Sequence, residues 1–209
     1  MVNICLVNGS LRGKSASSLQ FLKDLENRLP EKHCEKSTLT VRAKVIENYP
    51  TDMLKTMANA DAIVFTFPLH NYGLPGSLMR LLEEYYQYTS SKTDNQYNKD
   101  AKIYAIINCG FPRADQTTGE AIRVVQNFCQ RLSLNWRFAV CIGTGPVVVM
   151  TRKIPFSYRQ LKKAYTQIAS DIKSEDKLIV NNYFIKPIIP SFIIAMIKRH
   201  YEKSGKMYD

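Results

Sequence analysis

The 209-residue chain has no C-x-x-C pair, no H-E-x-x-H, no Cys/His cluster at metal-ligand spacing and no G-x-S-x-G elbow. The signatures of zinc ribbons, zincins and serine hydrolases are therefore missing. Its cysteines, Cys5, Cys34, Cys109, Cys129 and Cys141, are odd in number and mostly lie in apolar stretches, so they read as small hydrophobes in a reducing compartment. Val2–Val7 starts the chain without a basic leader or an apolar stretch of signal-peptide length, and the expectation is a cytoplasmic protein. Acidic residues are scarce: 18 Asp+Glu face 29 Lys+Arg, a formal net charge of +11. At 45% hydrophobic and 22% charged, the composition excludes disordered and fibrous classes and suits one domain over 1–209. A domain of this size buries enough surface to need no disulfide or metal staple.

The charge is uneven. Residues 1–149 carry 17 basic and 13 acidic side chains, whereas 150–209 carry 12 and 5, so +7 of the excess lies in the last third. Such a surface attracts polyanions, anionic lipid or phosphorylated small molecules, and charge alone does not choose. Tyr158, Tyr165 and Tyr183 form no basic-aromatic motif with it, so nucleic acid is not the expected partner.

Short apolar runs at 2–7, 62–67, 103–107 and 138–142 read as strands buried on both faces, with 62–67 central. In 38–45 Leu39, Val41, Ala43 and Val45 alternate with polar residues, which predicts a half-buried strand at a sheet edge. Apolar residues at helical spacing follow at 19–29, 78–85, 121–132 and 161–172. This alternation predicts a three-layer α/β domain with a five-stranded parallel sheet and helices on both faces. In such sheets ligands lie beyond the carboxyl ends of the strands, where strand order reverses.

The first loop there, Gly9-Ser10-Leu11-Arg12-Gly13-Lys14-Ser15-Ala16-Ser17-Ser18, combines hydroxyls, cations and a helix start, which makes a phosphate seat. Ser17 or Ser18 could equally serve as a simple helix cap. The run Gly9-x-x-x-Gly13-Lys14-Ser15 is one residue short of a nucleoside-triphosphate loop, and no acid closes strands 62–67 or 103–107, which weighs against a triphosphatase. The second loop, Phe67-Pro68-Leu69-His70-Asn71-Tyr72-Gly73-Leu74-Pro75-Gly76-Ser77, is stiffened by two prolines and suits a flat heteroaromatic ring. The third, Asn108-Cys109-Gly110-Phe111-Pro112-Arg113, offers a glycine for close backbone approach. Nothing nearby activates Cys109, so packing or ring contact is its expected role. A phosphate seat and a ring-holding loop, without acid–base or nucleophilic machinery, point to a protein whose cofactor carries the chemistry, and flavin mononucleotide (FMN) fits.

These loops resemble those of the NAD(P)H-dependent FMN reductases of the flavodoxin-like fold, over roughly residues 2–175. The resemblance implies strand order 2-1-3-4-5 and a phosphate site at Ser10, Arg12, Ser15, Ser17 and Ser18. It implies isoalloxazine contacts from Pro68, Leu69, His70, Asn71, Tyr72 and Gly73, with Cys109, Gly110 and Phe111 from the third loop. His70 stands where the family commonly has Tyr. The implied chemistry is ping-pong: hydride passes from NADH or NADPH to FMN, then electrons to a small-molecule acceptor such as a quinone, a flavin, or an azo or nitro compound. A homodimer is implied as well. A flavodoxin-type electron carrier is the competing expectation, although such carriers resemble acidic rather than basic chains.

Residues 183–209 exceed what five β/α units need. Ile188–Ile197 is apolar and turns basic at Lys198 and Arg199, which predicts an extra C-terminal helix packed on the domain or a second subunit. At ten residues it falls far short of the ~20 that span a bilayer. Contact with a membrane surface is the less favoured alternative.

Overall fold

Apolar runs that alternate their side chains between two faces must be covered on both, and this chain builds its layers accordingly. A computed structural model describes residues 1–41, 48–90, 97–151, 158–174 and 180–186. The strands are β1 (Val2–Asn8), β2 (Cys34–Thr40), β3 (Ala62–Pro68), β4 (Lys102–Asn108), β5 (Asn135–Ile142) and β6 (Tyr183–Ile185). They form one sheet in the order β2-β1-β3-β4-β5-β6, with every neighbouring pair parallel. The helices are α1 (Ser17–Glu26), α2 (Thr51–Ala58), α3 (Gly76–Ser90), α4 (Ala114–Thr117), α5 (Gly119–Arg131), α6 (Gly145–Met150) and α7 (Arg159–Lys173). Among the described residues no helix is long and apolar enough to cross a membrane.

One face of the sheet turns Ile4, Leu6, Val64, Tyr104, Ile106 and Phe138 toward α1, α6 and α7, where Phe21, Leu25, Leu161 and Ile168 meet them. The other turns Cys5, Val7, Phe65, Phe67, Ile103 and Ile107 toward α2, α3 and α5, where Met57, Leu81, Tyr85, Val125 and Phe128 close the layer. Each fully buried side chain of this size contributes roughly 1.5–3 kcal/mol. Burial pushes the Cys5, Cys129 and Cys141 thiols up to about 12, as expected of packing cysteines.

The sheet has six strands where five were expected. The extra one, β6, pairs Tyr183–Ile185 with Val140–Ile142, and three residues are too few to show alternation. It is held by the Ala139 N–H donating to Asn182 Oδ1 at 2.8 Å and the Gly143 N–H donating to the Ile185 carbonyl at 3.2 Å. The edge strand expected at 38–45 is β2, which starts at Cys34 and ends at Thr40. Residues 42–47 and the anticipated C-terminal helix, from 187 onward, lie outside the described residues.

At the amino end, Arg137 and Asp171 form a buried ion pair whose side chains are 4% and 5% exposed. Arg137 Nε and Nη2 donate to the two Asp171 oxygens at 2.8 and 2.7 Å, and the Tyr104 hydroxyl donates to Oδ2 at 2.6 Å. Burial alone would raise the Asp171 carboxyl, but hydrogen bonds from Arg137 and Tyr104 outweigh it and hold it below its ordinary value. Lys102 adds its ammonium to the last carbonyls of α7, where a helix end is negative.

Candidate functional site

At the carboxyl edge the apolar strands turn polar. Asn8, Thr66 and Asn108 end or nearly end β1, β3 and β4, and they are 0%, 0% and 5% exposed. Asn8 and Thr66 are register partners, and Asn108 pairs with Pro68 two positions further along β3. By strand alternation all three side chains share the sheet face that α1 covers. Asn8 Oδ1 accepts the Ser10 N–H at 3.2 Å, which turns its amide toward the first loop. Asn8 Nδ2 and Thr66 Oγ1 are buried without a partner among the described residues. Orphaned buried donors of this kind are costly, and they mark a place where a ligand oxygen or water belongs.

Where the first loop enters α1, backbone donors stay free among the described residues. Ala16 is the N-cap of α1 and supplies no side-chain bond, so neither Ser17 nor Ser18 caps the helix. Among the described residues the first-turn N–H groups of Ser17, Ser18 and Leu19 have no recorded acceptor, leaving the positive end of the helix open. Ser10 Oγ accepts the Arg12 N–H at 3.3 Å, and Ser15 Oγ donates to the Arg12 carbonyl at 3.0 Å, so these two hydroxyls shape the loop. The Arg12 and Lys14 side chains are exposed and pair with no carboxylate among the described residues. Ser17 is half-buried beside a cavity of 150 Å³ lined also by Lys14, Ser15, Lys23 and Val149. The Ser18 hydroxyl is turned inward, donating to Asn108 Oδ1 at 2.7 Å. Gly9 is pressed against the end of β3: a Cβ there would come within 2.9 Å of both Phe67 Cβ and Leu78 Cδ2.

The second loop is a two-residue turn. The His70 N–H donates to the Gly73 carbonyl at 3.0 Å and the Gly73 N–H returns a bond to His70 at 2.7 Å. Asn71 and Tyr72 between them have φ of 44° and 63°, which is the type I′ pattern. Asn tolerates that conformation; for Tyr it is strained and costs on the order of 1–3 kcal/mol. Pro68 and Leu69 are half-buried at the strand end, whereas His70, Asn71 and Tyr72 project into solvent. Tyr72 stacks on Phe111 of the third loop, with centroids 6.0 Å apart and planes 12° from parallel, and both rings stay about half exposed. The two loops thus join into one aromatic wall.

In the third loop Cys109 is 3% exposed and its Sγ donates to the Phe111 carbonyl, while Gly110 is open to solvent. The loop after β5 locks onto it. The Thr144 N–H donates to the Phe111 carbonyl at 2.9 Å, and a Cβ on Gly143 would fall 2.4 Å from the Pro112 carbonyl oxygen. Thr144 itself is left-handed, with φ of 48°. Sequence patterning assigns no site role to Gly143, Thr144, Asn8 or Thr66, and marks Asn108 only as the start of the third loop. The available signal was polarity: an Asn or Thr at the carboxyl end of an otherwise apolar strand.

The donors of α1, Arg12 and the spare Asn8 amide suit a phosphate dianion, and the aromatic wall beside Gly110 suits a flat ring, so these residues fit a flavin nucleotide. Among the described residues no group of His, Cys, Asp and Glu could hold a metal ion. Larger hollows lie elsewhere, notably a groove of 700 Å³ between α3 and α5 lined by Met79, Leu82, Tyr86, Val124 and Phe128.

A family model described as a flavodoxin-like fold matches residues 2–132. Among solved structures, an azoreductase from Bacillus anthracis shares 16% identity at a TM-score of 0.55, covering 82% of this chain and 99% of that one. An NADPH-quinone reductase from P. pentosaceus shares 15% at 0.57, covering 81% and 98%. The general stress protein 14 from Treponema denticola, solved in complex with FMN, shares 12% at 0.58, covering 83% and 100%. At these identities the likeness is one of fold. A comparison with curated protein sequences finds no match.

Proposed function

The chain belongs to the flavodoxin-like family whose model matches residues 2–132, and on that premise we propose that it is an FMN-dependent NAD(P)H oxidoreductase acting on a small acceptor. The acceptor class is a quinone, a flavin, or an azo or nitro compound. The observation that carries the reading is the uncapped start of α1, with Arg12 and Lys14 beside it and the Asn8 Nδ2 beneath, all without a partner among the described residues. An azoreductase, a quinone reductase and an FMN complex among the similar folds support it.

Bound FMN would supply the redox chemistry, taking hydride from a nicotinamide and passing electrons to the acceptor. The protein's part is placement and electrostatics. The N–H groups of Ser17, Ser18 and Leu19 and the Arg12 guanidinium would hold the phosphate, with Ser10 and Ser15 keeping the loop in shape. The stiff segment Pro68–Gly73 and the backbone at Cys109–Gly110 would hold the ring edge, with Tyr72 and Phe111 as its wall. Buried Leu74 and Cys109 keep water from the inner side of these loops. Positioning of this kind is what a cofactor enzyme contributes to rate.

Titrating the purified chain with FMN, then mixing it anaerobically with NADH or NADPH, tests the reading. Bleaching of the flavin band by either nucleotide supports it; a flavin that binds but stays oxidised identifies an electron carrier instead. Pairing of two copies belongs to the same proposal. The groove between α3 and α5, with Met79 and Tyr86 exposed along it, supports that pairing, and sedimentation of the full chain tests it.

A further inference from the structure

Asn108 ends β4 almost fully buried, and it reaches three parts of the site. Its side-chain Oδ1 accepts the Ser18 hydroxyl at 2.7 Å, across 90 positions of sequence. Its carbonyl accepts the Leu69 N–H at 2.8 Å, where the second loop leaves β3. Its side chain also packs against the start of α6: a Cβ on Gly145 would meet Asn108 Cβ at 2.9 Å and Nδ2 at 3.2 Å. The next residue continues the pattern, because the Cys109 carbonyl accepts the Gly145 N–H at 2.8 Å.

An amide at this depth is costly unless its bonds are made, so its bonds are the place to look for its role. The first turn of α1 has no side-chain cap, and the 3-10 turn before it, Gly13–Ser15, buries no residue. Leu19 packs that first turn on the core, and the Ser18–Asn108 bond joins it to the end of β4. The same residue anchors the second loop through its backbone.

We propose that Asn108 is a positioning residue that ties the first turn of α1 to the end of β4 and so fixes the phosphate seat relative to the ring-bearing loops. The assignment rests on the flavin reading above. It predicts that breaking the bond from either side acts on the phosphate more than on the ring. A single buried hydrogen bond corresponds to about 10-fold in affinity.

The test measures dissociation constants for FMN and for riboflavin, which lacks the phosphate, by quenching of flavin fluorescence. The proteins are wild type, Ser18→Ala, Asn108→Ala and the double variant. Each single substitution should weaken FMN about 10-fold and lower the FMN-to-riboflavin affinity ratio. The double variant should be no more than about 2-fold worse than the weaker single one, because both remove one bond. A ratio that stays at the wild-type value while thermal stability falls would show a merely structural amide and overturn the assignment. So would single effects that multiply in the double variant. Ser18→Ala, the smaller change, decides the matter where Asn108→Ala does not fold. Wild type that binds neither flavin overturns the flavin reading itself, whereas wild type that binds FMN with unaffected variants overturns only the role of Asn108.

Discussion

Replacing Asp171 by Asn keeps the shape of the buried cluster and removes its negative charge. The Arg137 guanidinium, with its side chain 4% exposed, then loses the carboxylate that neutralises it, and an Asn amide turns a donor toward one of its N–H groups. Breaking one partner of a buried ion pair costs about 3–5 kcal/mol. For a chain of this length that lowers Tm by roughly 10 °C. Urea unfolding of both proteins measures it, with FMN affinity as the control, since the cluster lies at the opposite end of the sheet from the loops. The pH dependence follows from the same bonds. Because the folded carboxyl lies below its ordinary value, the unfolded chain binds the proton more readily. The stability it confers is therefore complete above about pH 4 and is lost as pH falls toward the depressed folded value. The gap between wild type and variant should narrow as pH is lowered from about 6 to about 3. A variant within about 1 kcal/mol of wild type at neutral pH would refute the reasoning, and so would a gap that does not change with acid.

Three further outcomes can be checked with the same preparations. Gly143→Ala places a Cβ against the Pro112 carbonyl, so the third loop must move; flavin affinity should fall about 10-fold or more and stability by about 1–3 kcal/mol, and an unchanged binding titration would contradict the interlock. Arg12→Ala should weaken FMN about 10-fold and riboflavin little, while Lys55→Ala on the far helix α2 changes neither; equal effects would misplace the seat. With thiols pushed up to about 12, Cys5, Cys129 and Cys141 should resist a disulfide reagent in the folded chain, and half-buried Cys34 should react first, as mass mapping of the labelled peptides would show.

The strands that could be read without a structure are those whose burial is continuous. Ile63 to Phe67, apolar but for Thr66, and Ile103 to Ile107 announce a covered, central position because both faces of such a strand are buried. Helices α1, α3, α5 and α7 carry buried residues at regular spacing. Helix α2 goes unread because only Leu54, Met57 and Ala58 in eight residues are buried, too short a stripe to stand out. The start of β2 is misjudged for a related reason: Cys34–Thr40 is an edge strand without one buried residue, whereas the stronger alternation lies further on. At the site, hydroxyls, cations and prolines mark the first two loops. The Ser18–Asn108 bond, the clasp of Gly143 on Pro112 and the Tyr72–Phe111 stack join distant segments, and no local pattern encodes them.

The turn at His70–Gly73 bears on how this chain can be engineered. A redesign guided by backbone preference alone would change Tyr72 to glycine first, since glycine suits a φ of 63° and relieves about 1 kcal/mol or more. That choice would produce a hardier protein with half of its aromatic wall gone. With Tyr72 walling the ring as proposed, thermostability and ligand recognition pull in opposite directions at this position, so stabilising substitutions belong in the helices and the sheet, with residue 72 held fixed.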